Sequence, residues 1–223
     1  MEFSRLGVYF TPGDTAFADA GAAWLGWDIR RGKACTAPYP QYVKRPCKYG
    51  FHATLKPPFR LAAGHSLKEL QKATEHLAST QAPVALEALN VSRIGSFFAF
   101  TPNLPNTPLQ NLAADVVRAL DTFRAAPDED EIAKRVTPNM TEDQMRNLQA
   151  WGYPYVMESF RFHMTLSGPI PKRDAETCLS RIEQHFKGTV PETVSLDALT
   201  LVAERVDGNF FEVERYPLRS GTG

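Results

Sequence analysis

Two hydrophobic periods alternate along this chain, one of two residues and one of three to four, and the switches between them predict its elements. Residues 5–10, RLGVYF, carry the dense apolar pattern of a strand, closed by the turn residues Thr11, Pro12 and Gly13. Residues 14–24 are alanine-rich and begin with Asp and Thr, which predicts a capped helix. The stretch 26–48 is rich in Gly, Pro and basic residues and reads as a loop that rims whatever follows it. Ser66 with Glu69 is a capping box for a helix whose Leu67, Leu70, Ala73 and Leu77 recur at helical spacing.

The same switching continues through the second half. Strands are expected at 84–89 and 91–100, with Gly95-Ser96 as a turn or bulge. Thr107-Pro108 predicts a cap followed by proline at the first helical position, with Leu109, Leu112, Val116, Leu120 and Phe123 as the buried stripe. The charged segment 127–137 has helical composition. Thr141 and Gln144 make a second capping box, for a helix stopping near Trp151-Gly152, after which Tyr153-Pro154-Tyr155 runs extended. A further amphipathic helix is expected at 174–186, then a hairpin of 195–205 with 209–216 about Val206-Asp207-Gly208, and a disordered tail from Ser220 to Gly223. Strands and helices are intermixed, hairpins are frequent, and no Gly-rich strand-to-helix turn of the nucleotide-binding kind occurs. The fold class is α+β with antiparallel sheets.

One pattern occurs twice: FHATLKPPF at 51–59 and FHMTLSGPI at 162–170. Residues two apart share a face of a strand. His52 and Thr54 thus lie on one face with Gly50 and Lys56, against Phe51, Ala53 and Leu55 on the other. In the second copy Arg161, His163 and Thr165 oppose Phe160, Phe162, Met164 and Leu166. Each copy therefore presents an apolar core face and a polar face holding a histidine, a threonine and one cation. One copy in each half of the chain predicts a single bilobal domain over 1–223, with two pseudo-symmetric sheets facing each other across a central cleft.

Composition narrows the chemistry. At 223 residues, with 43% hydrophobic and 22% charged residues, the chain is an ordinary globular protein able to bury a sizeable core. Lys plus Arg equals Asp plus Glu at 25 each, so the field that draws a protein onto long nucleic acid is missing and a small anionic substrate fits better. MEFSRLGVYF lacks the basic start and apolar run of a secretory leader, and no run of apolar residues reaches membrane-spanning length. Cys35, Cys47 and Cys178 form no CxxC, and reduced thiols in a cytoplasm are expected.

Two imidazoles facing one site can divide the work of acid and base, because an imidazole titrates near neutral pH. Threonine hydroxyls can donate to the non-bridging oxygens of a phosphate, and Arg161 or Lys56 can offset its charge. The paired His-x-Thr-hydrophobic motifs resemble the 2H phosphoesterase superfamily, which includes RNA 2′,3′-cyclic phosphodiesterases. The wider context YGFHATLKPPF, WGYPYV and FRFHMTLSG is similar to the branch of that superfamily associated with phosphonate metabolism. The resemblance implies a bilobal fold with internal pseudo-two-fold symmetry, a cleft lined by both motifs, and hydrolysis of a cyclic phosphodiester or a related transfer.

The expected catalytic pair is His52 and His163. Thr54, Thr165, Arg161 and Lys56 are the expected phosphate ligands, and Tyr49, Tyr153 and Tyr155 are candidates to stack on a base or ribose. His65, His76 and His185 have no Thr partner and read as surface or packing residues. Lys44, Arg45 and Lys48 read as a solvated rim. A zinc site usually takes three or four ligands, often at short spacing, and neither motif contains Asp or Glu, so no metal and no cofactor are expected. The expected partner is a small phosphate ester, a nucleotide or RNA terminus included, with no membrane. The competing reading is a module that binds a phosphate ligand or RNA end without turnover.

Overall fold

The computed structural model describes residues 3–219, so the tail expected from Ser220 to Gly223 lies outside the described residues. The chain runs β1 (Phe3–Phe10), α1 (Ala16–Leu25), β2 (Trp27–Asp28), β3 (Lys33–Ala34), α2 (Pro40–Val43), β4 (Ala53–Phe59), α3 (Leu67–Ser79) and β5 (Val84–Glu87). It continues through β6 (Leu89–Ile94), β7 (Phe97–Pro102), α4 (Thr107–Ala119), α5 (Glu129–Ala133), α6 (Glu142–Trp151) and β8 (Met164–Thr165). The last elements are α7 (Ala175–Phe186), β9 (Thr193–Leu196), β10 (Ala198–Arg205) and β11 (Phe210–Pro217).

The helix ends follow local chemistry. Thr15 caps α1 through its hydroxyl, and Gly26 closes it in the left-handed conformation. Both capping boxes form as the sequence predicts, at Ser66/Glu69 and Thr141/Gln144, and a third forms at Asp128/Glu131 in the charged segment. The start of α4 differs from expectation. Asn106, not Thr107, accepts from the Leu109 amide, and its own amide group donates to Ala85 O, a tertiary bond that selects the earlier cap.

A seven-stranded sheet organises the molecule in the order β11-β10-β1-β4-β8-β7-β6, with every neighbouring pair antiparallel. The α+β class with antiparallel sheets holds. The turn expected at Gly95-Ser96 divides 91–100 into β6 and β7, whereas 195–205, expected as a single run, breaks at Asp197 so that β9 can pair with β5 in a separate small sheet. The two strand sets, expected to face each other, instead meet edge to edge. Their seam is the β4–β8 pair, whose register point is Ala53 opposite Met164.

The sheet has two differently covered faces. Leu6, Val8 and Phe10 of β1 join Phe17 and Trp24 of α1, Leu70 of α3, Val116 of α4 and Phe186 of α7 in one main core. On the opposite face Tyr9, Val202 and Phe210 pack with Trp27 of β2 and Ile29 just after it, and Tyr49 lies against them. That second face carries the repeated histidines. Among the described residues no helix is long and apolar enough to cross a membrane, and the three cysteine thiols are free.

Candidate active site

The repeat alternates as its letters demand. Phe51, Ala53 and Leu55 are buried, as are Phe162, Met164 and Leu166, while His52, Thr54, His163 and Thr165 are half-buried on the other side. Because β4 and β8 are antiparallel and paired at Ala53–Met164, the register carried one residue either way sets His52 across from Thr165 and Thr54 across from His163. Side chains so opposed stand about 5 Å apart at Cβ. The four polar groups therefore form a crossed square on one sheet face, with the local two-fold axis through its centre.

Both imidazoles are oriented in the same way. His52 Nδ1 lies 2.9 Å from Gly50 O, and His163 Nδ1 lies 2.9 Å from Arg161 O. A carbonyl only accepts, so in each ring Nδ1 carries the hydrogen and Nε2 is left for chemistry. His52 Nε2 accepts from the Thr54 hydroxyl at 3.1 Å. The Tyr9 ring lies flat on His52, with centroids 3.9 Å apart and planes 21° apart, and Tyr9 is opposite Thr54 across the β1–β4 pair. Burial, together with the nearby charge of His163, pushes the His52 pKa down to about 4 against the opposing pull of the Gly50 carbonyl, so this imidazole is neutral at pH 7. Beside His163 lies the tilted ring of Phe97, at 5.9 Å between centroids.

Two glycines make room for the first copy. Gly50 has φ 69°, which turns its carbonyl toward His52, and a Cβ there would also meet Ile29 at 2.5 Å. Gly21 of α1 lies so close to Phe51 that a Cβ would stand 2.1 Å from the ring. The second copy is held differently, by Trp24 Nε1 donating to Leu166 O at 2.7 Å and the Leu166 amide donating to Phe98 O at 2.8 Å.

A cavity of about 430 Å³ opens beside the square. His52 and Thr165 line it, with Tyr49, Tyr153 and Phe97 as aromatic wall and Arg45 as a cation; Ser96, Ser167 and Gly168 complete one side. Thr54 and His163 are not in that lining. Thr54 connects to it through its bond to His52. Tyr155 is 47% exposed and packs edge-on against Tyr153 without lining the cavity. His185 is a packing residue whose Nε2 donates to Ala20 O at 2.9 Å, and His65 lies on Phe123.

Two expected phosphate ligands are placed elsewhere. The register of β4 against β1 slips by one residue between Tyr9–Thr54 and Val8–Lys56. Such a bulge moves the next side chain to the other face. Lys56 accordingly sits with Val8 on the helix side, 1% exposed, donating to Val117 O at 3.1 Å and Asp121 Oδ1 at 3.0 Å. Burial lowers its pKa against the pull of Asp121, and its charge is spent on a structural ion pair, not on the cleft. Arg161 lies before β8, which is only two residues long, so it is exposed and outside any strand, and it does not line the cavity. Its contribution is the backbone carbonyl that orients His163.

Tyr9, Phe97, Ser96 and Ser167 were not singled out by the sequence. Tyr9 reaches the site only through strand order, because β1 pairs with β4 from the far end of the chain, and no periodicity reveals that neighbour. Ser167 could have been found as the letter of the second copy that stands where the first has Lys56; its hydroxyl accepts from the Phe98 amide at 2.9 Å and ties β7 to the site.

Antiparallel strands bearing crossed histidines and threonines beside a cavity define the kind of protein this is, and comparison with known sequences places it in a family. The chain belongs to the family described as "Protein of unknown function (DUF1045)", whose model matches residues 54–212. It is 36% identical over 240 residues to the ribose 1,5-bisphosphate phosphokinase PhnN of Janthinobacterium sp. (strain Marseille), covering 99% of this chain and 52% of that protein. It is 30% identical over 219 residues to the protein of the same name from Laribacter hongkongensis (strain HLHK9), covering 95% and 51%. The chain thus spans about half the length of these curated relatives. Among solved structures it is similar to E. coli LigT complexed with 3′-AMP, at 15% identity and TM-score 0.47 over 97% of this chain and 99% of that one. It is likewise similar to TT0787 of Thermus thermophilus, at 15% identity and TM-score 0.49 over the same shares.

Proposed function

We propose that the protein is a phosphoesterase that opens a small cyclic phosphodiester, ribosyl or nucleotide, with the two motifs acting as one unit of a bilobal domain and without a catalytic metal. The observation that carries this reading is the crossed square of His52, Thr165, Thr54 and His163, with both Nδ1 atoms tied to backbone carbonyls so that Nε2 is the working atom of each ring. The paired motifs' resemblance to 2H phosphoesterases points the same way. The relatives are named for a kinase of ribose 1,5-bisphosphate, which favours a ribosyl phosphate over an RNA end and agrees with a link to phosphonate metabolism.

The division of labour follows from the two environments. His52, neutral at pH 7, takes a proton at Nε2 from a water whose oxygen bonds to phosphorus. The phosphorus–oxygen ester bond breaks on the opposite side, and the leaving ring oxygen takes a proton from His163 Nε2. Both histidines return to their starting states by exchange with solvent. For this to begin, the Thr54 hydroxyl must turn from His52 Nε2 to a non-bridging oxygen, where with Thr165 it stabilises the charge that grows in the transition state. Tyr49 and Tyr153 supply flat apolar surface for the sugar or base.

The test is phosphorus NMR of the purified protein in excess chelator with a panel of ribosyl and nucleotide cyclic phosphates. The expected result is conversion of a cyclic ester signal to a monoester. Inactivity on every member, or tight binding that persists for hours with no product, would overturn the reading.

A further inference from the structure

Ring opening at the crossed square leaves one cation of the cavity unused. Arg45 lines the same cavity as His52 and Thr165, and no Asp or Glu lines it. Among the described residues Arg45 is exposed and takes part in no ion pair, unlike Arg30, Arg31, Arg60 and Arg215, which are all paired with carboxylates. The loop that carries it is anchored. The Gly168 amide donates to Tyr42 O at 2.7 Å, Arg181 Nη1 donates to the Tyr42 hydroxyl at 2.9 Å, and the Arg181 guanidinium lies over the Tyr39 ring at 4.5 Å. The backbone that carries Arg45 is thereby held next to Gly168 of the second motif, with Pro46 stiffening the chain after it.

A cyclic phosphodiester carries a single negative charge, which the donors of the crossed square meet on the proposed reading. A guanidinium without a counter-ion on a largely aromatic wall asks for a further anion, and a planar fork of donors suits a phosphate in particular. The cavity volume of about 430 Å³ accommodates a phosphorylated sugar or nucleoside. We infer that Arg45 binds a second phosphate, carried by the substrate away from its cyclic ester, so that the substrate class is a cyclic phosphate of an already phosphorylated ribose or nucleoside. This rests on the phosphoesterase reading above. The product of ring opening is then a bisphosphate, and a phosphorylation must come before this step to supply the second group.

The test compares matched pairs: ribose 1,2-cyclic phosphate and adenosine 2′,3′-cyclic phosphate, each with and without a 5-position phosphate. Wild-type kcat/KM should favour the phosphorylated member of an accepted pair by at least about tenfold, the worth of a charge-assisted contact. Arg45→Gln should erase that preference, losing about 10–100-fold more on the phosphorylated member than on its partner, and Arg45→Lys should keep part of it. Equal wild-type turnover of both members, or an Arg45→Gln loss that is the same for both, would overturn the inference while leaving the phosphoesterase reading standing. Hydrolysis of none of the four would overturn both. Should a variant fail to fold by circular dichroism, the wild-type preference still decides.

Discussion

The two copies of the repeat are alike in letters and unlike in setting. The first lies in a seven-residue strand, beneath a stacked tyrosine, beside two glycines that admit no side chain, and its histidine is held neutral with pKa about 4. The second continues for only two strand residues, and a tilted phenylalanine ring lies beside its histidine. Shared anchoring of Nδ1 gives both rings the same reach, and burial beneath Tyr9 holds the first ring neutral. A symmetric sequence motif thus gains two different surroundings, and on the proposed reading the neutral His52 is the base and His163 the acid.

Removing either histidine should have the largest effect. His52→Ala and His163→Ala should each lower turnover of a cyclic phosphate by about 10²–10⁴-fold, and the double variant little further, because a base and acid working in one step are not additive. Near-native turnover in either single variant would reduce the repeat to a structural feature. Thr54→Val and Thr165→Val come next. They keep the β-branched shape and remove a hydroxyl, so unfolding curves should be nearly unchanged while turnover falls about 10²–10³-fold. Equal activity at matched folded fraction would remove the threonines from the site.

Smaller effects separate the settings of the two copies. Gly21→Ala places a methyl group 2.1 Å from the Phe51 ring, and the overpacking cost of about 1–3 kcal/mol exceeds the helix-propensity gain of at most about 1 kcal/mol. Thermal unfolding should show a clear drop in Tm, whereas Gly168→Ala, whose nearest neighbour would be 3.6 Å away, should leave Tm almost unchanged. Similar shifts in both would show that the first copy is no tighter than the second. The smallest expected change in rate is that of Lys56→Met, which replaces a buried structural cation on the helix side. Its kcat per folded molecule should match wild type, and a loss of tenfold or more would return Lys56 to the cleft.

Much of this arrangement is readable from the letters. Ser66, Thr141, Gly26 and Gly152 mark helix ends because a cap is satisfied within a few residues. The alternation around each motif separates core from polar face for the same local reason. Tertiary choices are what sequence pattern leaves out. Lys56 follows the alternation on paper, and only the bulge against β1 turns it toward Asp121, 65 residues away. The edge-to-edge seam at Ala53–Met164 depends on strand order, which no periodicity contains. Arg45 reads as one of several basic loop residues until the loop's bond to Gly168 brings it to the cavity wall.

The central claim is that His52 works as a neutral base and His163 as an acid in one site, and the pH dependence of kcat/KM tests it most directly. A base whose pKa in the free protein is about 4 loses function only as pH falls through that value, and the acid loses function as pH rises, so the profile should be a bell whose acidic limb lies near pH 4. The same shift predicts the stability trend: the unfolded chain binds the His52 proton from about pH 6.5 downward, the folded one only near 4, so stability is full above 6.5 and falls between those values. Wild-type kcat/KM should therefore not fall as pH drops from neutral toward pH 5, and the residual rate of His52→Ala should lack the acidic limb. A wild-type rate that climbs steadily from pH 5 to pH 9, or an acidic limb that survives in His52→Ala, would contradict the account.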